Sequence, residues 1–449
     1  MPVAEHVMRH AAERPERLAV RGPAGELTYA ELAGRIQGAA RHLLGRGAGR
    51  GALVAIGLAD PVELLIAALA ADLAGATPLV GEHMWDRTRW AQVVPEPPAV
   101  LVDRPLPYVA GPALWHEAKP DDLAWACFSS GSTGRPRAVV RARDSWTGSF
   151  PYLGELAGIG PGDVVLVPGS LVSSLYSFAA VHTLATGATA VVPGRWPGGD
   201  LAALLSEATV VHLVPHRLPD VLRSPGALRT AVVGGAALGP GARAAAAKAG
   251  VQVVSYYGAT ELSFVAVDTD GGGLRPFPNV EIEVRGAPLG EVWVRSPWLA
   301  EGYLGGAAGP LRRDGDGWVS VGDVAEPYRM GRTLRVRGRG GGAIQTGGAT
   351  VVPEDVEEVL RKVPGVADVV VVGSPHPSLG AVVTAIVEAE DAPPRAALEA
   401  MARSGLDVAQ RPRRWYTTPS LPRTPTGKPA RALIAARLAG DDPDIRRLA

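Results

Sequence analysis

The sequence predicts an α/β protein with substantial parallel sheet, and three observations carry that expectation. Short Val- and Ile-rich runs alternate with Ala-rich helical stretches through the first part of the chain, the pattern of strands joined by crossover helices. After residue 285 the texture turns to short strands and Gly-rich turns, which reads as an antiparallel or barrel-like piece. Beyond residue 340 a fresh helix-then-strand unit begins, so a smaller second domain is expected there.

In chain order, residues 29–44 read as an amphipathic helix, because Thr28 is placed to cap it and Glu31, three residues on, completes a capping box. Strands are expected at 53–57, 99–102, 123–128, 164–167, 188–192, 210–214 and 230–233, each a compact apolar run. Residues 291–294 and 334–336 supply short strands of the antiparallel piece. The stretch 337–342, RGRGGG, is the densest in glycine and puts the domain boundary near residue 340. A helix at 354–362 and strands at 367–372 and 382–388 follow. No period of 20–50 residues repeats, which excludes solenoids and propellers.

The charge balance narrows the function classes. With 45 basic and 45 acidic side chains the chain is formally neutral, whereas nucleic-acid and membrane-surface binders carry a basic excess. One cysteine, Cys127, forms neither an intramolecular disulfide nor a cysteine metal cluster. No run reaches the roughly 18 uncharged apolar residues of a membrane helix, and the N-terminus, with Glu5, His6 and Arg9, lacks a secretory apolar core. A cytoplasmic protein without a membrane span is expected. Only four of the 45 bases are lysines, Lys119, Lys248, Lys362 and Lys428. A retained lysine is therefore informative.

Residues 128–140, FSSGSTGRPRAVV, bring hydroxyls at Ser129, Ser130, Ser132 and Thr133 together with Gly131 and Gly134, small residues whose free amides suit phosphate oxygens. Arg135 and Arg137 add cations, but no Gly-Lys-Ser/Thr follows at Walker spacing. Composition alone leaves a flexible polar loop equally open. The order of the residues resembles the phosphate loop of the adenylate-forming superfamily, which includes acyl-CoA synthetases, adenylation domains and luciferases. Ser129 to Pro136 follow its pattern, while Arg137 and Ala138 stand where the family has Lys and Gly. A planar guanidinium keeps the charge but not the geometry of an ammonium.

Further matches to the same family occur in the same order. Residues 255–261, SYYGATE, resemble its Tyr-Gly-x-Thr-Glu motif through Tyr257, Gly258, Thr260 and Glu261. The resemblance implies that Thr260 contacts the adenylate phosphate and that Glu261 holds Mg²⁺, for which one carboxylate beside phosphate and water suffices. Residues 234–239, GGAALG, resemble the loop at the adenine and acyl pocket, which implies contacts at Gly235 and Ala236. Residues 290–305 match a stretch taken as structural. In 318–323, WVSVGD, Asp323 corresponds to the acid that accepts both ribose hydroxyls, and Arg339 to an arginine that also reaches the ribose. Finally, 422–431, PRTPTGKPAR, fits Pro-x-Thr-x-x-Gly-Lys-x-x-Arg at every specified position. In a chain that otherwise favours Arg, Lys428 implies a requirement for a compact ammonium at the developing charge of adenylation.

The resemblance implies an N-terminal adenylate-forming domain over 1–338, built of α/β subdomains and a distorted β-barrel. A hinge at 339–342 and a small mobile α+β domain over 343–449 carrying Lys428 complete it. Gly341 replaces the family's hinge acid, and Gly347 and Gly348 correspond to the thiol or pantetheine side. Amino-acid-activating members carry an Asp for the substrate ammonium near 168–174, PGSLVSS, where Leu171 stands here. An ordinary α-amino acid is disfavoured, since a desolvated ammonium would lack its carboxylate. His212, His216 and Arg217 lie near the acyl pocket, either as binders of a polar tail or as a surface turn.

The implied activity is that of an acid–thiol ligase using ATP and Mg²⁺, with CoA as acceptor and a small to medium aliphatic or aromatic acid as substrate. Loading of an acyl or aryl group onto the phosphopantetheine of a carrier protein is the first alternative. A degenerate, non-catalytic nucleotide-binding protein is the second, motivated by Arg137, Ala138 and Gly341. An RNA-binding role for RGRGGG is weaker, because the run occurs once without interleaved aromatics or net positive charge.

Overall fold

The computed structural model describes residues 2–448 apart from 95, 96, 130–136, 240, 288, 340, 341, 343, 347, 348, 378, 425, 426 and 428; it leaves the side chains of 129, 339, 345, 349, 350 and 380 undescribed. Four sheets organise the described residues. The largest runs, edge to edge, through Arg275–Pro276, Ser263–Asp268, Gln252–Ala259, Thr230–Val233, Val210–Leu213, Val164–Leu166, Thr189–Val191, Leu18–Gly22 and Gly25–Thr28. Its six inner strands are parallel. The strands Val210–Leu213, Thr230–Val233 and Thr189–Val191 are buried throughout, as expected of a sheet covered on both faces.

The second sheet runs Gly302–Tyr303, Arg137–Ala142, Leu123–Ser129, Thr77–Val80, Leu53–Ile56, Val100–Val102. Between the two lies a core in which the helix Pro61–Leu73 is buried on nearly every side. It starts where the sequence signals, with Pro61 at the first turn and Asp60 accepting from the Val62 and Glu63 amides at 2.9 and 3.0 Å. The helix Tyr29–Gly45 forms with the expected Thr28–Glu31 capping box. Its Leu32, Ile36 and Leu43 are fully buried, each contributing about 1.5–3 kcal/mol of transfer energy.

One charge pair sits inside this apolar layer. Asp72 and Arg143, both 1% exposed, pair at 2.7 Å, and the second Asp72 oxygen accepts from the Val3 amide at 2.7 Å. The pair thereby pins the N-terminal helix Val3–Glu13 to the core, and removing one partner would strand a buried charge.

The texture change after residue 285 corresponds to an antiparallel sheet built around Gly290–Arg295, flanked by Glu281–Arg285 on one side and by Val319–Ser320 and Asp323–Ala325 on the other. The fourth sheet lies wholly within residues 344–447 and packs the helices Pro353–Leu360 and Arg395–Gly405 through its own apolar cluster. Strand edges differ from the sequence reading by one or two residues. The exceptions are 367–372, where the strand Asp368–His376 runs four residues further, and 334–336, where the strand is Val336–Arg339 and Leu334 makes an isolated bridge to Leu274. No described helix is long and apolar enough to cross a membrane.

Candidate functional site

The large sheet changes direction at Val164–Leu166. The next strand in sequence, Thr189–Val191, lies on one side of it, and Val210–Leu213 lies on the other. Such a reversal leaves a crevice at the carboxyl ends of the strands, because the outgoing connections diverge. The segments 167–173, 214–217 and 234–236 leave the sheet there, and Gln252–Ala259 delivers Tyr257, Gly258, Thr260 and Glu261 to the same edge.

Thr260 and Glu261 are held from all sides. The Thr260 hydroxyl is 2.9 Å from the Ser174 hydroxyl at the start of the helix Ser174–Thr186. Its carbonyl accepts from Arg141 at 2.6 Å, and the Glu261 carbonyl accepts from the Ala300 amide at 2.9 Å. Arg141 is 1% exposed and also donates to the carbonyls of Ser145 and Trp298. Burial pulls its guanidinium down to about 10, while nearby Cys127 and Glu261 favour the charged form. The Glu261 carboxylate, 4% exposed, accepts from the Tyr303 hydroxyl at 2.9 Å. Burial, then Glu261 itself, push the Tyr303 phenol well above its ordinary value, so Tyr303 remains a donor at neutral pH.

Three sheets meet at this point. Tyr303 belongs to the second sheet, where Gly302–Tyr303 pairs with Arg137–Ala142. Tyr257 donates its hydroxyl to Asp323 at 2.8 Å, tying the first sheet to the third. Asp323 and Arg339 are direct register partners on adjacent antiparallel strands, so the two residues expected at the ribose stand together. A carboxylate and a tyrosine so fixed form a platform for a diol.

The seven residues Ser130, Gly131, Ser132, Thr133, Gly134, Arg135 and Pro136 lie outside the described residues, as does the Ser129 side chain. The strands that carry them are described, and Ser129 and Arg137 face each other in register. Arg137 donates to the Ala308 carbonyl at 2.8 Å, and its charge opposes the upward push on Tyr303. It therefore sits on the Glu261 side of the crevice. The half-buried Gly235 turns with φ of 88° just after Thr230–Val233, with the exposed Ala236 next to it.

Lys428, Gly341, Gly347 and Gly348 also fall outside the described residues. The turn leading into Lys428 is described. A Cβ added at Gly427 would lie 3.2 Å from His216 Cε1, so the small domain's loop abuts the segment leaving Val210–Leu213. His216 thus belongs to a contact between the two parts of the chain. His212 is buried in its strand, and burial brings its imidazole down to about 3. Arg217 stacks over Trp196 at 4.7 Å and pairs with Asp220. Leu171, at the position of the family's ammonium-binding acid, is buried in the apolar core. Cys127 is also buried, which pushes its thiol up to about 12 and keeps it protonated.

Sequence reasoning passed over Tyr303, Arg141 and Ser174. The Gly-Tyr pair at 302–303 was legible only as structural, because its contact with Glu261 spans 42 residues. Among the described residues no three His, Cys, Asp or Glu side chains cluster as metal ligands. Glu261 as a lone carboxylate beside a phosphate fits Mg²⁺, which takes most of its oxygens from phosphate and water.

Comparison with known proteins identifies the family. A family model described as AMP-binding enzyme matches residues 7–102 and 96–304, and one described as AMP-binding enzyme C-terminal domain matches 355–428. The chain is 32% identical over 337 residues to an uncharacterized acyl-CoA ligase, YhfT, of Bacillus subtilis, covering 70% of this chain and 68% of that protein. It is 27% identical to the fatty acid–[acyl-carrier-protein] ligase MmaC of Mycobacterium marinum, covering 97% of each. It also matches a segment of far longer proteins, such as the naringenin synthase of Pestalotiopsis fici, of which it covers 19%. Among solved structures, o-succinylbenzoate CoA synthetase of Bacillus subtilis with its acyl-adenylate superposes with a TM-score of 0.83 at 22% identity, over 96% of this chain and 97% of that one, a likeness of fold. With a family model over more than half its length, this chain belongs to the AMP-binding enzymes, the adenylate-forming ligase family.

Proposed function

We propose that the protein is an AMP-forming acid–thiol ligase that adenylates a carboxylic acid and passes the acyl group to CoA. The observation that carries this reading is the convergence of Tyr257–Asp323, Ser174–Thr260 and Tyr303–Glu261 on one edge of the sheet, with the Gly427 turn seated beside it. Asp323 and Tyr257 would hold the ribose and Thr260 the α-phosphate. Mg²⁺, when bound at Glu261, supplies charge neutralisation at the phosphates.

The chain's own residues supply position and field. Tyr303 and the buried Arg141 fix Glu261 and Thr260 before substrate arrives, so no reorganisation is needed as charge develops. Arg137 and Lys428 would bring cations to the same oxygens. Expulsion of pyrophosphate then leaves an acyl-adenylate, which a thiol attacks to release AMP. No residue serves as covalent nucleophile, in keeping with the protonated, buried Cys127. Rotation of residues 343–449 about 339–342 would withdraw Lys428 and present Gly347 and Gly348 to the thiol arm.

The test is carboxylate-dependent ATP–pyrophosphate exchange over a panel of acids, followed by AMP release on adding CoA. Exchange with at least one acid is expected. No exchange with any acid would sink the reading in favour of a nucleotide-binding protein without activity. Loading of a carrier protein is the second reading, favoured by the full-length likeness to MmaC. AMP release with a phosphopantetheinylated carrier and none with CoA would select it.

A further inference from the structure

Two tyrosines close the crevice at the switch point. Tyr176, in the helix Ser174–Thr186, lies over Gly169: a Cβ added there would meet its Cε2 at 2.0 Å. Tyr256, at the end of Gln252–Ala259, lies over Gly234: a Cβ there would meet its Cζ at 2.1 Å and its hydroxyl oxygen at 2.4 Å. Gly169 and Gly234 follow strands on either side of Val210–Leu213, so the rings approach the crevice from both flanks. Ring packing braces Tyr256 and the helix that carries Tyr176. Tyr256 packs edge-on against Phe264 at 4.7 Å, Phe264 packs against Phe178 at 5.1 Å, and Phe178 lies on the same helix as Tyr176.

Tyr176 is 6% exposed and Tyr256 half-buried, yet neither hydroxyl has a hydrogen-bond partner among the described residues. Neither is among the buried polar atoms shut off from solvent, so each hydroxyl opens to water, and a ligand that covers it has to replace that hydration. Burial pushes the Tyr176 phenol up to about 12, and burial with the neighbouring Tyr176 pushes Tyr256 higher, so both present O–H donors at neutral pH. Arg217, whose charge reaches Tyr176, is already paired with Asp220 and stacked on Trp196. The groups on offer to a ligand are therefore neutral donors.

We propose that the acid accepted at this site is short and carries a neutral hydrogen-bond acceptor, a hydroxyl or carbonyl oxygen, at the end away from the reacting carboxylate, and that Tyr176 and Tyr256 determine this specificity. The inference rests on the adenylation reading above. The two rings stand across the crevice where a long alkyl chain would have to run, and a plain short chain would cover both hydroxyls without satisfying them. An acid with an oxygen at that end satisfies both constraints.

The experiment is ATP–pyrophosphate exchange with pentanoate, 4-hydroxypentanoate, 4-oxopentanoate and decanoate, on the parent protein, Tyr176→Phe and Tyr176→Ala. The oxygenated acids should exceed pentanoate about tenfold in kcat/KM, the scale of one neutral hydrogen bond. Decanoate should give no exchange. Tyr176→Phe should abolish the preference by lowering only the oxygenated acids, and Tyr176→Ala should admit decanoate. Tyr256→Phe serves as second variant if thermal unfolding shows Tyr176→Phe to be unfolded. Preference of the parent for decanoate or for pentanoate overturns the inference and leaves the adenylation reading standing, as does an equal loss for all acids in both Phe variants. Absence of exchange with every acid, in this panel and the wider one above, overturns both.

Discussion

Thr260–Glu261 and the Pro422–Arg431 loop come to the same edge of the molecule, but different contacts hold them. The first segment is locked by buried partners from other elements: the Ser174 hydroxyl, the Arg141 guanidinium, the Ala300 amide and the Tyr303 hydroxyl. The second is tethered by two arginines to four carboxylates of its own domain. Arg423 reaches Asp368 at 3.1 Å and also Glu388, while Arg431 reaches Glu354 at 2.9 Å and Glu357 at 3.0 Å. The Gly427 turn lies against the large domain at His216. A segment that must be preorganised gains from burial. A loop that is proposed to leave and return needs its shape fixed internally and its docking surface small.

The largest expected effect breaks this comparison at its functional end. Lys428→Ala should lower exchange about 100- to 1,000-fold, the scale of losing one group that stabilises developing charge. Thiolysis of a preformed acyl-adenylate should be almost unchanged. Equal loss in both half-reactions would mean that the loop does not withdraw.

Arg431→Met comes next and probes how the loop is held. Glu357 is 3% exposed and also accepts from the Val371 amide at 2.8 Å. Losing the nearer of its two ion partners, with Arg361 still at 3.4 Å, should cost about 1–3 kcal/mol in denaturant unfolding of the full chain. The cost should depend on pH. Burial already pushes the Glu357 carboxyl above the usual range, with Arg431 and Arg361 pulling it back. Without Arg431 it rises further, so the folded variant binds a proton more readily than the unfolded chain. Stability is then lost as pH rises, and the deficit against the parent should grow upward from the parent's own Glu357 value, which burial already holds above the ordinary carboxylate range. A deficit independent of pH would show that Glu357 is not the group left unpaired.

Tyr303→Phe tests the rigid side. It deletes one charge-assisted donor to Glu261, worth about 1.5–3 kcal/mol, and should reduce exchange tenfold or more. The loss should fall on exchange and on the Mg²⁺ concentration needed to saturate it, beside a stability cost of the same order as the lost hydrogen bond. A variant that loses stability but keeps its Mg²⁺ dependence would make Tyr303 a packing residue only.

The two segments also differ in how far the sequence announced them. The Thr28 capping box, the parallel strands and the helix–strand unit beyond 340 follow from local periodicity and turn chemistry, which act over a few residues. The pairing of Tyr257 with Asp323 was half legible, since each was marked by a motif but their contact spans 66 residues. Arg141 was invisible, because a basic residue in an apolar strand carries no sign of the carbonyls that will surround it. Tyr176 and Tyr256 were likewise silent. Their meaning depends on Gly169 and Gly234, which topology alone brings beneath them.

The smallest effect sharpens the comparison most, because salt should act on one segment and spare the other. Asp368 is held below the usual carboxylate range: burial would raise it, but the Arg361 guanidinium, the Val369 amide and Arg423 outweigh burial. Its folded-state value is depressed, so the tether it provides is complete above about pH 3.9, where an unfolded Asp titrates, and is lost only as pH falls further. Acid is thus a poor lever near neutrality. Ionic strength is a better one, since Arg423 is about a third exposed and screening shortens from about 8 Å at 0.15 M to about 3 Å at 1 M salt. Arg423→Ala should cost about 0.5 kcal/mol and lower exchange two- to threefold at low salt. At saturating ATP, raising salt should bring the parent towards the variant and leave the variant nearly flat. Tyr303→Phe, whose defect lies in buried contacts, should keep its full ratio to the parent at every salt concentration. If the Arg423→Ala deficit also persists at 1 M salt, the loop is held by packing rather than by ion pairs, and the contrast between the two segments fails.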